Sequence, residues 1–413
     1  MSERISFPTG VEASEALLPR QPAFWSHSSL REMEACPRRW MLSRSEYPKL
    51  WEKRGYPQLP VAATLFGDVV HAALETIVRK LVTAGCTSPR NAQAVQVLRD
   101  LGGITAVVEA ASGDRLARLK GNPRLDDDRM KRISVELSDR VPQARVHVQA
   151  YLSRTALPPT PQTARPQADP GTSVGGPASG RRPAGLGTHP EIPLVSETLR
   201  LMGRVDLLTA TQDRVAITDY KTGAEDPSHL DQLRLYAVLW DLDRIANPDR
   251  RPATELTASY PTHEITVPAP EEPELRDLEE TVRQRIATAE TELIASVPKA
   301  LPDGQKCSLC QVRQLCDAYW EQAPEVHTLS AGAWFDYQGV VGPQNGARSW
   351  WLLSERTGQK TMLLRTAATT NALPTGRRIR VLNLRLDDDP EVEITVATLT
   401  AASEIFVLTN KES

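Results

Sequence analysis

A chain of 413 residues with 49 basic and 52 acidic side chains carries a formal net charge of −3, which excludes the overall positive excess of proteins that coat DNA by charge alone. The length suits two or three units, each large enough to bury a core, and excludes a single small module. No stretch approaches the roughly 18 apolar residues of a membrane span, and residues 1–20 lack the apolar centre of a signal peptide, so a cytoplasmic protein without a membrane partner is expected.

In chain order, residues 1–22 read as a flexible N-terminus. Ser28-Ser29-Leu30-Arg31-Glu32-Met33-Glu34-Ala35-Cys36-Pro37-Arg38-Arg39-Trp40 follows, placing a cysteine beside two arginines. Gly67-Asp68-Val69-Val70-His71-Ala72-Ala73-Leu74-Glu75 predicts a helix with His71 and Glu75 on one face, and imidazole is a common metal ligand. Residues 91–120 read as helical. Ile133, Leu137, Val141, Ala144, Val148 and Tyr151 repeat at spacings of three and four, the stripe of a helix packed on one side. Residues 155–190, built from Pro, Gly, Ala, Ser, Thr and Arg, have no apolar periodicity and read as a flexible insertion.

Beyond the insertion the period shortens. Residues 199–209 and 214–220, joined by Thr211-Gln212-Asp213, predict a β-hairpin. A helix over 227–243, a strand near 256–260 and a helix marked by Leu275, Leu278, Val282, Ile286, Ala289 and Leu293 complete an α/β unit with helices flanking a small mixed sheet. From 325 onward, short runs at 334–341, 349–353, 360–364, 379–386, 391–399 and 405–408 predict a small all-β barrel or sandwich.

The hairpin carries the chemistry. Gly203-Arg204-Val205-Asp206 and Ile217-Thr218-Asp219-Tyr220-Lys221-Thr222-Gly223 put acids on neighbouring strands, and strand alternation aligns Asp219 with Lys221. Phosphodiester cleavage needs a hard divalent cation, for which carboxylates are the natural ligands, and a lysine alongside can orient or help deprotonate the water or stabilise charge on phosphate. An Asp-x-Lys triplet by itself more often marks a solvated surface hairpin. Gln232 and Tyr236, four apart on the following helix, can both reach the same site.

Together these segments resemble the PD-(D/E)XK nuclease superfamily, in particular its RecB-like iron–sulfur branch. The motifs are a Gly-x-x-x-His-x-x-Leu-Glu helix, a Gly-x-x-Asp strand, an Asp-Tyr-Lys-Thr-Gly strand and a Gln-x-x-x-Tyr helix, in that order over about residues 26–320. The resemblance implies a RecB-like nuclease domain over 23–324 with Mg²⁺ or Mn²⁺ held by His71, Asp206 and Asp219. Lys221 is then the catalytic lysine, with Gln232 and Tyr236 in the active site. It implies a further acid on the strand before Gly-x-x-Asp, for which Glu191 is the candidate and Glu197 the competitor. Val205 stands where the superfamily name has proline.

Cys307, Cys310 and Cys316 crowd together, and Cys36 lies far upstream. Four thiolates can close a zinc site or bind a [4Fe-4S] cluster, and spacing alone does not separate them. The resemblance favours the cluster, as a structural staple, with zinc as the alternative. Cys86 has no partner in this pattern.

The β-rich part, 325–413, resembles an OB-type barrel in strand count and length. Its aromatics and arginines, Trp350 and Arg378 among them, can either stack on and neutralise single-stranded DNA or form barrel core and solvated surface. Arg38 and Arg39 are further candidates for phosphate contact. No Gly-x-x-x-x-Gly-Lys-Ser/Thr loop is present, so ATP binding by this chain is not expected and unwinding falls to a partner helicase. The expectation is a DNA exonuclease of repair, recombination or defence. Its rival is an inactive DNA-binding or helicase-partner subunit, against which the joint presence of His71, Asp206, Asp219 and Lys221 argues.

Overall fold

The structure, a computed structural model, describes residues 17–159, 181–295, 297–323, 326–366, 373–387 and 394–408. The helices α1 (His27–Ala35), α2 (Pro37–Arg44), α3 (Ala62–Thr83), α4 (Ala92–Asp100), α5 (Gly103–Leu119), α6 (Asp127–Asp139) and α7 (Val141–Arg154) come first. Their boundaries follow local chemistry: Ser26, Asn91 and Asp126 cap α1, α4 and α6 through side-chain oxygens, and prolines open α2 and α7. The single stripe expected across 133–151 is therefore two helices, broken at Arg140 ahead of Pro142. The helical stretch at 91–120 likewise breaks where Gly102 takes φ +78°.

A five-stranded sheet follows, built from β1 (Gly187–Ser196), β2 (Leu201–Ala210), β3 (Val215–Tyr220), β4 (Glu255–Ser259) and β5 (Glu264–Pro268) in that spatial order. Only β3 and β4 pair in parallel, and helix α8 (Ser228–Leu242) makes their crossover. Helix α9 (Glu272–Ile294) packs with α8 and α1 over one apolar cluster that includes Val205, Ile217, Leu239 and Ile286. On the other side α3, α5 and α7 enclose a second cluster that takes in Leu207 and Tyr220. The sheet is thus sandwiched between helices, which fixes the direction of every strand side chain.

Two short helices, α10 (Gly304–Ser308) and α11 (Asp317–Trp320), bracket the cysteine segment. After them β6 (Trp334–Gln344), β7 (Ser349–Leu353), β8 (Lys360–Thr366), β9 (Arg378–Leu386), β10 (Val396–Leu399) and β11 (Glu404–Val407) form a second sheet. The order runs β10-β8-β7-β6-β9, and β10 pairs again with β9, closing a barrel. The β8–β10 pairing is parallel, and β11 adds to β9. The barrel has its own core, with Val341, Trp350, Leu352, Leu364 and Val381 inside.

The barrel does not stand apart. Arg124, before α6, is buried against Glu404 with nitrogen–oxygen distances of 3.0 and 2.7 Å, and donates to the carbonyls of Pro57 and Gln311. Arg313 is buried between Asp336 at 2.6 Å, Asn383 and the carbonyl of Cys310. A buried pair matters most when broken, since the orphaned charge costs about 3–5 kcal/mol.

Four expectations need correction. Residues 17–22, placed in a flexible terminus, are held: Leu17 exchanges backbone bonds with Glu46, and Arg200 bonds the carbonyl of Pro22. The insertion's last residues, 187–190, are already in β1; residues 160–180 lie outside the described residues. Strand β5 was not foreseen, because its exposed edge position leaves only partial burial on one face. Trp350, offered as a DNA-stacking residue, is 2% exposed inside the barrel, because alternation along β7 turns it inward and its neighbour Trp351 outward.

Candidate active site

The register of β1, β2 and β3 assembles the acids. Leu207 pairs with Thr218, which brings Asp206 beside Asp219, and the β1 ladder pairs Pro190 with Leu207 and Ile192 with Val205, leaving Glu191 opposite Asp206. Three carboxylates from three adjacent strands therefore form a row. Helix α3 supplies His71 from one side of the sheet, and α8 supplies Gln232 and Tyr236 from the other.

Close backbone approach permits this convergence. A Cβ on Gly203 would meet Tyr236 at 2.8 Å and Leu239 at 2.9 Å, so only glycine lets α8 seat its tyrosine against β2. Gly67, one turn before His71, faces Thr222 with only 3.0 Å to spare for a Cβ.

One ligand atom each from His71, Glu191 and Asp206 lies within 4.8 Å of the others. Asp206 is fixed by two groups: the Tyr220 amide donates to Oδ2 at 2.6 Å, and His71 Nδ1 is 3.3 Å from Oδ1. Glu191 takes φ +53°, a left-handed conformation that costs a non-glycine residue on the order of 1–3 kcal/mol. Glu197, its competitor, is exposed in the turn between β1 and β2, away from the row.

Asp219 is buried, and its Oδ2 lies 2.5 Å from Lys221 Nζ without a well-formed hydrogen bond. Lys221 Nζ donates onward to Gln232 Oε1 at 2.7 Å, and Gln232 Nε2 to the Tyr236 hydroxyl at 2.7 Å. The lysine backbone is held as well, its amide bonded to the Ser259 carbonyl and its own carbonyl to the Tyr151 hydroxyl. Lys221 is thus placed as an oriented cation between Asp219 and α8.

Crowded acid charge shows in the ionisation of these groups. Burial, then Asp206, pushes the Asp219 carboxyl well above the ordinary range. Burial and Asp206 also raise Glu191 to about 7, although Arg204 opposes them. Burial disfavours the charged His71 ring, yet Asp206, Asp219 and Glu191 raise its pKa to about 9. Carboxylates that resist ionising together are the donor set that a hard divalent cation relieves.

Sequence reasoning missed Arg204. Its Nε donates to the Glu191 carbonyl at 3.2 Å and sits 2.8 Å from Glu191 Oε2, while Nη2 is 3.6 Å from Glu75 Oε1. The signal was present, since Arg204 and Asp206 are two apart on one strand and share a face.

The cysteines gather elsewhere. Cys36, at the α1–α2 junction, lines one pocket with Cys307, Cys310 and Cys316, together with Arg38, Arg39 and Arg313. The Asp303 amide donates to Cys307 Sγ at 3.4 Å, a bond suited to a thiolate. Arg38 Nε bonds the Pro298 carbonyl and Arg39 lies 3.7 Å from Glu32, and both arginines line the cysteine pocket rather than the acidic row. Arg378 forms a two-point pair with Glu355, and Cys86 is buried among α3 and its neighbours.

A family model of the PD-(D/E)XK nuclease superfamily matches residues 24–317. The chain belongs to this superfamily. Its members are typically metal-dependent nucleases, and the matched residues contain the acidic row, His71, Lys221 and all four clustered cysteines. No curated protein matches the chain. Among solved structures, the chain is similar to a protein titled SSO0001 at 16% identity and a TM-score of 0.21, covering 32% of this chain and 61% of that one. It is similar to the p204 HINb domain at 10% identity and a TM-score of 0.17, covering 54% of this chain and 93% of that one. A murine DNA binding protein bound with ds DNA gives 10% identity and a TM-score of 0.16, covering 55% of this chain and 96% of that one. Overlaps this loose carry no argument about the fold.

Proposed function

We propose that the chain is a Mg²⁺- or Mn²⁺-dependent deoxyribonuclease of the RecB-like iron–sulfur branch. It acts in the cytoplasm as an exonuclease on single-stranded or end-exposed DNA, in repair, recombination or defence, with a helicase as the source of unwinding. The observation that carries the reading is the set of His71, Glu191 and Asp206 ligand atoms within 4.8 Å of one another, beside the Asp219–Lys221–Gln232 chain.

In this reading His71, Glu191, Asp206 and Asp219 hold the ion. A divalent ion there polarises the phosphoryl group and lowers the pKa of a water. Lys221, steadied by Gln232, orients that water or takes up negative charge developing on the phosphate oxygens. Tyr236 fixes the Gln232 amide, so that its oxygen faces the lysine. The sheet and helices supply preorganisation, which leaves little rearrangement for the reaction step.

The four cysteines suit an anionic tetrathiolate group. Four thiolates lining one pocket can hold zinc, with a Zn–S bond of about 2.3 Å, or a [4Fe-4S] cluster. The resemblance to the iron–sulfur branch favours [4Fe-4S] over zinc, with Arg38 and Arg39 offsetting thiolate charge. For the barrel, over 325–413, the strand order with its parallel closure supports an OB-type fold. Trp351, capped by Lys360 Nζ at 4.3 Å from its ring centre, and Trp334, 57% exposed, are then the aromatics offered to single strands.

Labelled single- and double-stranded DNA, given to wild type and Asp219→Ala with Mg²⁺, Mn²⁺ or chelator, tests the reading. Wild type should degrade DNA only with metal, and the variant should be at least about 10³-fold slower. Equal degradation by both proteins removes the acidic row from the chemistry.

A further inference from the structure

We infer that Arg204 is a positioning residue for the divalent-ion site, its guanidinium holding Glu191 in the left-handed backbone conformation that aims the carboxylate at His71 and Asp206. The inference rests on the reading of Glu191 as a metal ligand.

A strained residue persists only where its surroundings over-determine it. At Glu191 the surroundings are unusual. The flanking residues Pro190 and Ile192 keep their partners in β2, while Glu191 itself turns to φ +53° between them. One guanidinium then grips both ends of the residue: Arg204 Nε bonds its carbonyl at 3.2 Å and lies 2.8 Å from its carboxylate. Because the single Nε of Arg204 lies against both the carbonyl and the carboxylate of Glu191, the carbonyl direction and the side-chain direction are set together.

The same guanidinium reaches α3. Arg204 Nη2 is 3.6 Å from Glu75 Oε1, and Glu75 is itself held by Arg79 at 2.9 Å. Glu75 lies one turn beyond His71 on that helix. Arg204 therefore ties the strand carrying Glu191 to the helix carrying the imidazole ligand.

A rival role makes the opposite forecast. A cation 2.8 Å from a ligand oxygen also competes with the metal for it. If competition dominated, removing Arg204 would tighten metal binding; if positioning dominates, removal loosens it. Arg204 is 59% exposed, so its replacement leaves the cores intact.

The test uses the full chain with Mn²⁺ as probe, bound metal being read by electron paramagnetic resonance and calorimetry in wild type, Arg204→Met and Arg204→Lys. Arg204→Met should bind Mn²⁺ about 10–100-fold more weakly, the usual loss when a group supporting a metal ligand is removed. The Mn²⁺ concentration for half-maximal DNA cleavage should rise by the same factor, while unfolding in chelator is unchanged. Arg204→Lys should recover little, because lysine carries a methylene where arginine has Nε, the atom that lies against both the carbonyl and the carboxylate. Equal or tighter Mn²⁺ binding by Arg204→Met overturns the positioning role alone. Failure of wild type to bind Mn²⁺ overturns it together with the metal-site reading on which it rests.

Discussion

The acidic row and the cysteine pocket are both places where ligand atoms converge, yet they are built in opposite ways. The row stands on three paired strands and two long helices, so its geometry exists before any ion arrives. The cysteine segment has only a five-residue helix, one three-residue turn and a four-residue helix, and it is pinned from outside by Arg124 and Arg380. In the proposed reading the acidic row would use its metal for chemistry, and the cysteine segment would depend on its metal for shape.

Replacing a thiolate tests that contrast most severely. Cys310→Ser should cost several kcal/mol, as structural metal sites do, and remove visible iron–sulfur absorption. Thermal unfolding and absorbance would check it. A colourless, zinc-loaded wild type of full stability would reject the cluster.

The acidic row should instead respond to pH. Glu191 and His71 have raised folded-state values, about 7 and about 9, so both tend to hold protons near neutrality without metal. The stability these protons confer is present at low pH and is lost as pH rises through those values. A metal ligand set must lose them, so Mn²⁺ binding should strengthen from about pH 6 to 9, up to about tenfold per pH unit for each proton displaced. Calorimetry in buffers of different ionisation enthalpy should show proton release. Affinity that is flat with pH would mean that these groups are not the ligands.

The smallest effect belongs to the barrel surface. Trp351→Ala should weaken single-stranded DNA binding by about 1–3 kcal/mol, read by fluorescence anisotropy. Loss of folding rather than of binding would place Trp351 with the buried Trp350.

Much of the row could be read from the chain because strand and helix periodicities fix side-chain direction over short distances. Asp219 and Lys221 share a strand, and Gln232 and Tyr236 share a helix face. Glu191 was harder, since its direction comes from a left-handed φ that alternation does not anticipate. Among Trp350 and Trp351, alternation says that one points inward, but only the β7 register against β6 and β8 says which. Arg124 could not be read at all, because its partner Glu404 is 280 residues away.

That separation has a consequence for synthesis. Arg124 leaves the ribosome long before Glu404, and until then its guanidinium lacks the carboxylate that makes its burial tolerable. The same holds for Arg313 ahead of Asp336 and Asn383. The packing around Arg124 and Arg313 is therefore completed only once the barrel strands that carry Glu404, Asp336 and Asn383 have been made.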